Sequence, residues 1–225
     1  TGEYLPGMHD QRVFLGGISN ITGFVGAGNC FKTTIMRYMV LSVLARLYPV
    51  AGDELYYSSY DTEINTHEHR QSNLSHSFEI FRDKNIVDEG LWQITNKCIY
   101  PGNEFWTKTK NDLKEKREDK KKRMYSTAFL SRDRKTPMMT MCPTFGDFDS
   151  LSQFITADVE ATMEKTELGE AAGNTIFMRQ GLAKARMLME MPTVAGASLN
   201  YFLFTAHTGK LIEMPSAPGS PPARK

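Results

Sequence analysis

Residues Gly26-Ala-Gly-Asn-Cys-Phe-Lys32-Thr33-Thr34 join a glycine-rich turn to a lysine and two hydroxyls. They stand between an apolar run (21–25) and a strongly amphipathic segment (35–47). A turn that leaves a strand and opens a helix offers free backbone N–H groups to an anion, and the helix dipole adds to their pull. Lys32 would then reach the β- and γ-phosphates of a nucleoside triphosphate, and the Thr33 hydroxyl would ligate Mg²⁺. Gly26, Ala27, Gly28, Asn29, Cys30, Phe31, Lys32, Thr33 and Thr34 are therefore the candidate residues for binding ATP. In the usual pattern a second glycine precedes the lysine, and here that position is Phe31. A bulky residue is not expected at positive φ, so the loop must enter its helix without a glycine at that step. The bland alternative, a glycine-rich turn ahead of a core helix, is weakened by the strand, the helix and the downstream acids.

Hydrolysis needs carboxylates as well as a cradle: one to hold Mg²⁺, another to orient or deprotonate the attacking water. In an open α/β sheet these lie at the carboxyl ends of strands. Asp149 follows an apolar strand and is the candidate metal carboxylate, with Asp147 in competition. Glu63 ends the strand after the loop's helix, the expected neighbour of the loop strand, and competes with Asp61 for the role of base. His207 also ends a strand and could reach the γ-phosphate as a hydrogen-bonding sensor, against the alternative of a structural group, the commoner role of a lone histidine at a strand end. His67-Glu-His69 is not read as a metal pair, because helical positions two apart point to different sides and no third ligand is in view.

The elements that must position these groups can be read from periodicity. Residues 1–20 read as an irregular lead-in. Ile21–Val25 is a strand, and Lys32–Leu47 a helix with Ile35, Met36, Met39, Val40, Val43, Leu44 and Leu47 on one side, ended by Pro49 and Gly52. Glu54–Tyr60 is a second strand, Thr66–Leu74 a helix, Trp92–Thr95 a third strand and Pro101-Gly-Asn a turn. Glu104–Arg123 is a polar, basic helix, read as a solvated outer face with i,i+4 pairs; contact with nucleic acid or a neighbouring subunit is its functional alternative. Pro143 makes the next strand short, beginning near Thr144, or places it at an edge. Residues 151–163 read as a helix and 164–174 as a flexible loop. Thr175–Glu190 is a helix with Ile176, Met178, Leu182, Ala183, Met187 and Leu188 inward, and Leu199–Thr205 is a buried strand. Strands alternating with helices predict an α/β fold with a central, mostly parallel sheet flanked by helices.

Composition bounds the rest. The 225 residues are enough for one α/β core, and 40% hydrophobic with 24% charged residues is ordinary for a soluble domain. A formal net charge of +1 gives no global attraction to nucleic acid, so any such site is local. Cys30, Cys98 and Cys142 are widely spaced and contain no CxxC, which fits a reducing, cytoplasmic compartment. No apolar run is long enough for a bilayer. The tail 211–225, rich in Pro, Ser and Gly, reads as flexible, and the chain, which begins without Met, reads as a piece of a longer protein.

Taken in order, these blocks resemble RecA-type recombinases, and among them the recombinases of T-even-like bacteriophages. Those proteins also carry Phe-Lys-Ser, similar to Phe31-Lys32-Thr33 here. Their loop helix runs into Tyr-Pro, as at Tyr48-Pro49, and the next strand ends Tyr-Asp-Ser-Glu, like Tyr60-Asp61-Thr62-Glu63. Their metal-binding strand ends Asp-Ser-Leu, like Asp149-Ser150-Leu151, and a later strand ends Asn-His-Thr, where this chain has Ala206-His207-Thr208. The likeness spans residues 21–210. It implies a RecA-like P-loop ATPase that binds single-stranded DNA, self-associates as a filament and promotes homologous pairing and strand exchange, in the cytoplasm of an infected bacterial host. Lys32 and Thr33 would bind phosphate and Mg²⁺, Asp149 would support Mg²⁺, Glu63 would activate water and His207 would sense the γ-phosphate. Residues 164–174 and those after 209 would be loops facing DNA. A ring-forming helicase or DNA motor, and a slow ATPase acting as a nucleotide-gated assembly protein, are the alternatives.

Overall fold

The computed structural model describes residues 3–6, 12–15, 18–64, 67–96, 99–100, 104–119, 124–130, 135–156, 161 and 170–208. Its centre is a five-stranded sheet of β3 (Ile21–Gly26), β4 (Tyr56–Asp61), β5 (Trp92–Asn96), β9 (Thr144–Asp149) and β11 (Asn200–His207), in the order β3-β11-β9-β4-β5. Every pairing in it is parallel. The expected α/β class with a parallel sheet is what the chain adopts. Three two-stranded pairs lie outside it: β1 (Glu3–Pro6) with β2 (Arg12–Leu15), β7 (Met124–Leu130) with β8 (Pro137–Met141), and β6 (Ile99–Tyr100) with β10 (Ile155–Thr156). The first replaces part of the expected irregular lead-in.

Four α-helices complete the fold: α1 (Lys32–Ala51), α2 (Glu68–His76), α3 (Glu104–Glu118) and α4 (Glu170–Ala197). Because strand side chains alternate between faces, the sheet has two distinct surfaces. On one, Phe145, Tyr57, Trp92 and Leu203 pack against Met36, Val40, Leu41 and Leu44 of α1. On the other, Phe148 and Phe202 pack with Trp106 and Leu113 of α3 and Met187, Met191 and Ala195 of α4. Gly146 permits this packing, since a Cβ there would stand 3.0 Å from the Phe202 ring.

Several elements depart from the sequence reading, each for a local reason. Helix α1 passes through Pro49, whose missing N–H falls in the last turn, and stops at Gly52, which takes φ 52° and donates its N–H to Tyr48 O. Its buried face is turned from the expected one: Arg37 and Leu41 are buried and Ile35 is 50% exposed, because Arg37 meets two carboxylates on the sheet. Strand β9 does begin at Thr144, but it is the middle strand and not an edge; Pro143 precedes the ladder and so removes no hydrogen bond from it. Residues 151–153 are a turn and 155–156 a strand, not the start of a helix. Helix α4 begins at Glu170, taking in the end of the expected loop, and continues through Pro192. Its Met178 and Leu182, expected inward, are 70% and 58% exposed; only part of this long helix lies on the sheet. The 101–103 turn, Cys98, and the tail 211–225 lie outside the described residues.

Candidate functional site

The register of the parallel sheet gathers the polar groups. Asp149 pairs with Asp61, Asp147 with Ser59, and His207 with Gly26. Asp147 and Asp149 are two apart and so share a face, the face toward α1. The same alternation sends Ser59, Asp61, Thr205 and His207 to that side. All of them lie toward the carboxyl end of the sheet, where α1 begins. There a cleft of about 610 Å³ is lined by Gly28 to Thr34 and by Arg37, Glu63, Arg70, Asp149 and His207.

The loop itself corrects one expectation. Phe31 adopts φ 56°, ψ 17°, and Asn29 φ 58°, while Cys30 between them is not in the left-handed region. Phe31 is 72% exposed, and the left-handed backbone costs of order 1–2 kcal/mol whatever the ring meets. Alternation of handedness along a loop turns successive N–H groups into one concavity, which suits an anion. The Phe31 carbonyl accepts the first helical hydrogen bond, from Ile35 N at 2.9 Å. Lys32 lies over the loop, its Nζ donating to Gly26 O at 3.2 Å and Ala27 O at 2.5 Å. From α2, Arg70 Nη2 reaches Thr34 Oγ1 at 3.4 Å.

Across the cleft, Thr33 Oγ1 donates to Asp149 Oδ2 at 2.8 Å, and Thr205 Oγ1 donates to Oδ1 at 2.6 Å. The two hydroxyls fix both oxygens of that carboxylate. The competing Asp147 faces away from the cleft into the core. It accepts hydrogen bonds from Tyr57 and, at 2.5 Å, from Ser59, whose oxygen accepts the Trp92 indole N–H at 2.7 Å. Burial pushes the Asp147 carboxyl above its usual range, against the opposing pull of Arg37 and the two hydroxyls. Burial likewise disfavours the charge on Arg37, but Asp147, Tyr57, Asp149 and Asp61 outweigh it and the guanidinium is raised. Burial and the Asp147 charge hold Tyr57 well above its ordinary value.

Glu63 and Asp61 are sorted in the same way. Asp61 is buried and its Oδ1 accepts Glu63 N at 2.9 Å, so it shapes the turn. Glu63 projects into the cleft, and its Oε1 stands 2.8 Å from His207 Nε2. Strand β4 is not the neighbour of β3, as the sequence reading expects: β11 and β9 lie between them. Glu63 meets the loop's cleft nonetheless, because the chain turns after Asp61 and Thr62 N is held by Asp149 O at 2.7 Å. Of the basic helix, α3, one side packs inward through Trp106, Thr109, Leu113 and Lys116, while Lys108–Asp112 and Lys114–Glu118 form i,i+4 pairs outside.

The donor set here, a hydroxyl beside a carboxylate next to a glycine-rich loop at a helix N-terminus, would fit Mg²⁺, which takes few protein oxygens when phosphates supply others. Among the described residues no group of three or more His, Cys, Asp or Glu side chains could hold a metal by itself. Arg37 and Thr205 escaped the sequence reading. Arg37 carried a faint signal, a charge on the apolar side of an amphipathic helix; Thr205 carried none, as a threonine in a β-rich run. Compared with protein-family models, curated proteins and solved structures, the chain matches none. Among the described residues no helix is long and apolar enough to cross a membrane.

Proposed function

We propose that this chain is a RecA-like ATPase whose cleft binds ATP with Mg²⁺ and hydrolyses it. The observation that carries the reading is the convergence of Lys32, Thr33, Asp149, Glu63 and His207 around one loop of alternating backbone handedness. The loop's N–H groups and Lys32 bind the β- and γ-phosphates. Thr33 and Asp149 hold Mg²⁺, which supplies neutralisation of phosphate charge when bound. Glu63 orients a water in line with the γ-phosphorus and accepts its proton as the new P–O bond forms and the bond to the β–γ bridging oxygen breaks. His207, 2.8 Å from Glu63, fixes that carboxylate and reaches the γ-phosphate.

The particular ATPase we propose is a recombinase that assembles as a filament on single-stranded DNA and promotes homologous pairing and strand exchange. Support for this finer reading is the block-by-block resemblance set out from the sequence. In this reading ATP completes the interface between neighbouring subunits, and its hydrolysis releases the DNA. The test is steady-state ATP hydrolysis with and without single-stranded DNA, beside Lys32→Ala. Turnover stimulated by DNA and lost in the variant is expected. Turnover indifferent to DNA overturns the recombinase and leaves the ATPase; tight nucleotide binding by Lys32→Ala overturns the loop assignment.

A further inference from the structure

One charge in the cleft has no part in the hydrolytic scheme. Arg37 lies five residues along α1 from Lys32, with its side chain only 4% exposed. Its Nη2 is 4.0 Å from Asp149 Oδ2, the oxygen that accepts the Thr33 hydroxyl. Its Nε is 3.6 Å from Asp147 Oδ2. Asp147 is itself fixed by Tyr57 and by Ser59, which the Trp92 indole holds in turn. This buried chain of contacts anchors the guanidinium at its Nε side and presents its other end to Asp149.

We propose that Arg37 is a positioning residue that acts as a resident cation, competing with Mg²⁺ for Asp149 and so raising the divalent concentration at which the cleft takes up nucleotide. The proposal rests on the ATP-and-Mg²⁺ reading of the site. A positive charge 4.0 Å from Oδ2 neutralises part of the field a divalent ion would use and repels a second cation at the same carboxylate. Because the pair is buried, salt screens this repulsion little. Asp147 offsets Arg37 only in part at Asp149, since it engages the Nε side while Nη2 faces Asp149. Asp149 is held by the Thr33 and Thr205 hydroxyls, and Arg37 adds only charge beside it.

The test is a Mg²⁺ titration of mant-ATP binding, with Mn²⁺ binding followed by electron paramagnetic resonance as a second readout that involves no turnover. R37M/D147N removes the Arg37–Asp147 pair together, while Asp61 and Asp149 keep their hydrogen bonds from Glu63 N, Thr33 and Thr205. It is expected to lower the half-saturating Mg²⁺ about threefold to tenfold and to tighten Mn²⁺. R37K, which keeps the charge, is expected to stay near wild type. Should the double variant not fold, R37Q carries the same expectation. An unchanged or raised half-saturation in the neutral variants overturns the proposal and leaves Arg37 a structural residue. If D149N leaves the Mg²⁺ requirement unmoved, or mant-ATP does not bind the wild-type chain, the reading of the site fails, and the proposal with it.

Discussion

The two faces of the central sheet are built from the same strands and spend their side chains differently. The face toward α1 buries Arg37, Ser59, Asp61, Asp147, Asp149 and Thr205 near its carboxyl end. The face toward α3 and α4 is aromatic and aliphatic over the same end, where Phe148 stacks on Tyr60 at 5.5 Å and meets Phe154 edge-on at 5.4 Å; its buried polar groups, Lys116, Thr144 and Asn200, sit together at the amino end. Alternation allows the division, because residues one apart serve opposite faces. Phe148 packs while Asp147 and Asp149 on either side of it do not. The polar face is stable because its carboxylates are hydrogen-bonded, which an isolated buried charge is not. The polar groups on one side are thus held in register by packing on the other.

If that division and the proposed ATPase reading are right, substitutions on the two faces separate into stability and turnover. Phe148→Ala removes the centre of the packed face and is expected to cost about 3–5 kcal/mol in denaturant unfolding. The surviving folded fraction should bind nucleotide as wild type does. A large loss of affinity with little loss of stability would erase the distinction.

Glu63→Gln works from the other side. Turnover should fall about 10²–10³-fold, with ATP affinity and melting temperature nearly unchanged. Undiminished turnover takes Glu63 out of its role.

Phe31→Gly sharpens the picture of the loop. Glycine adopts φ 56° without strain and no packed ring is lost, so thermal unfolding should show a gain of about 1 kcal/mol or less. A loss of stability would mean that the exposed ring makes a contact worth more than the strain.

The smallest effect is a pH response on the packed face. Glu190 accepts the Trp106 indole N–H at 2.6 Å and pairs with Lys110 at 3.3 Å. These donors, the Trp106 bond first, hold its carboxyl below the ordinary 4.5. A depressed carboxylate contributes stability above its unfolded pKa and loses it as pH falls through the lower folded value. Trp106 fluorescence in a Trp92→Phe background should therefore shift on acidification below about pH 4.5, and Glu190→Gln should abolish the shift. An identical titration in that variant would assign the response elsewhere.

Much of the scaffold was legible because it is local. Spacing of two and of about 3.6 placed β3, α1, β4, β5, β9 and β11 within a few residues, and glycines with Lys32 marked the loop. The face of α1 was misjudged because apolar count alone excludes arginine from a core, and only Asp147 and Asp149 on another element make Arg37 welcome there. The left-handed Phe31 was unforeseeable for a similar reason: side-chain sterics disfavour it, and the geometry of the strand-to-helix turn outweighs them.

By itself the sequence determined the class of fold, the glycine-rich strand-to-helix loop and a short list of acids, since these depend on residue type and nearest-neighbour geometry. Strand order lay outside its reach. Nothing local says that β11 and β9 stand between β3 and β4, and only that order brings Thr205 to Asp149 and His207 to Glu63. Which of two neighbouring acids faced the cleft was decided in the same way, by hydrogen bonds from residues 88 to 90 positions distant in the chain. Such partners meet only after the sheet has closed, and the energy that selects them is a property of the whole core.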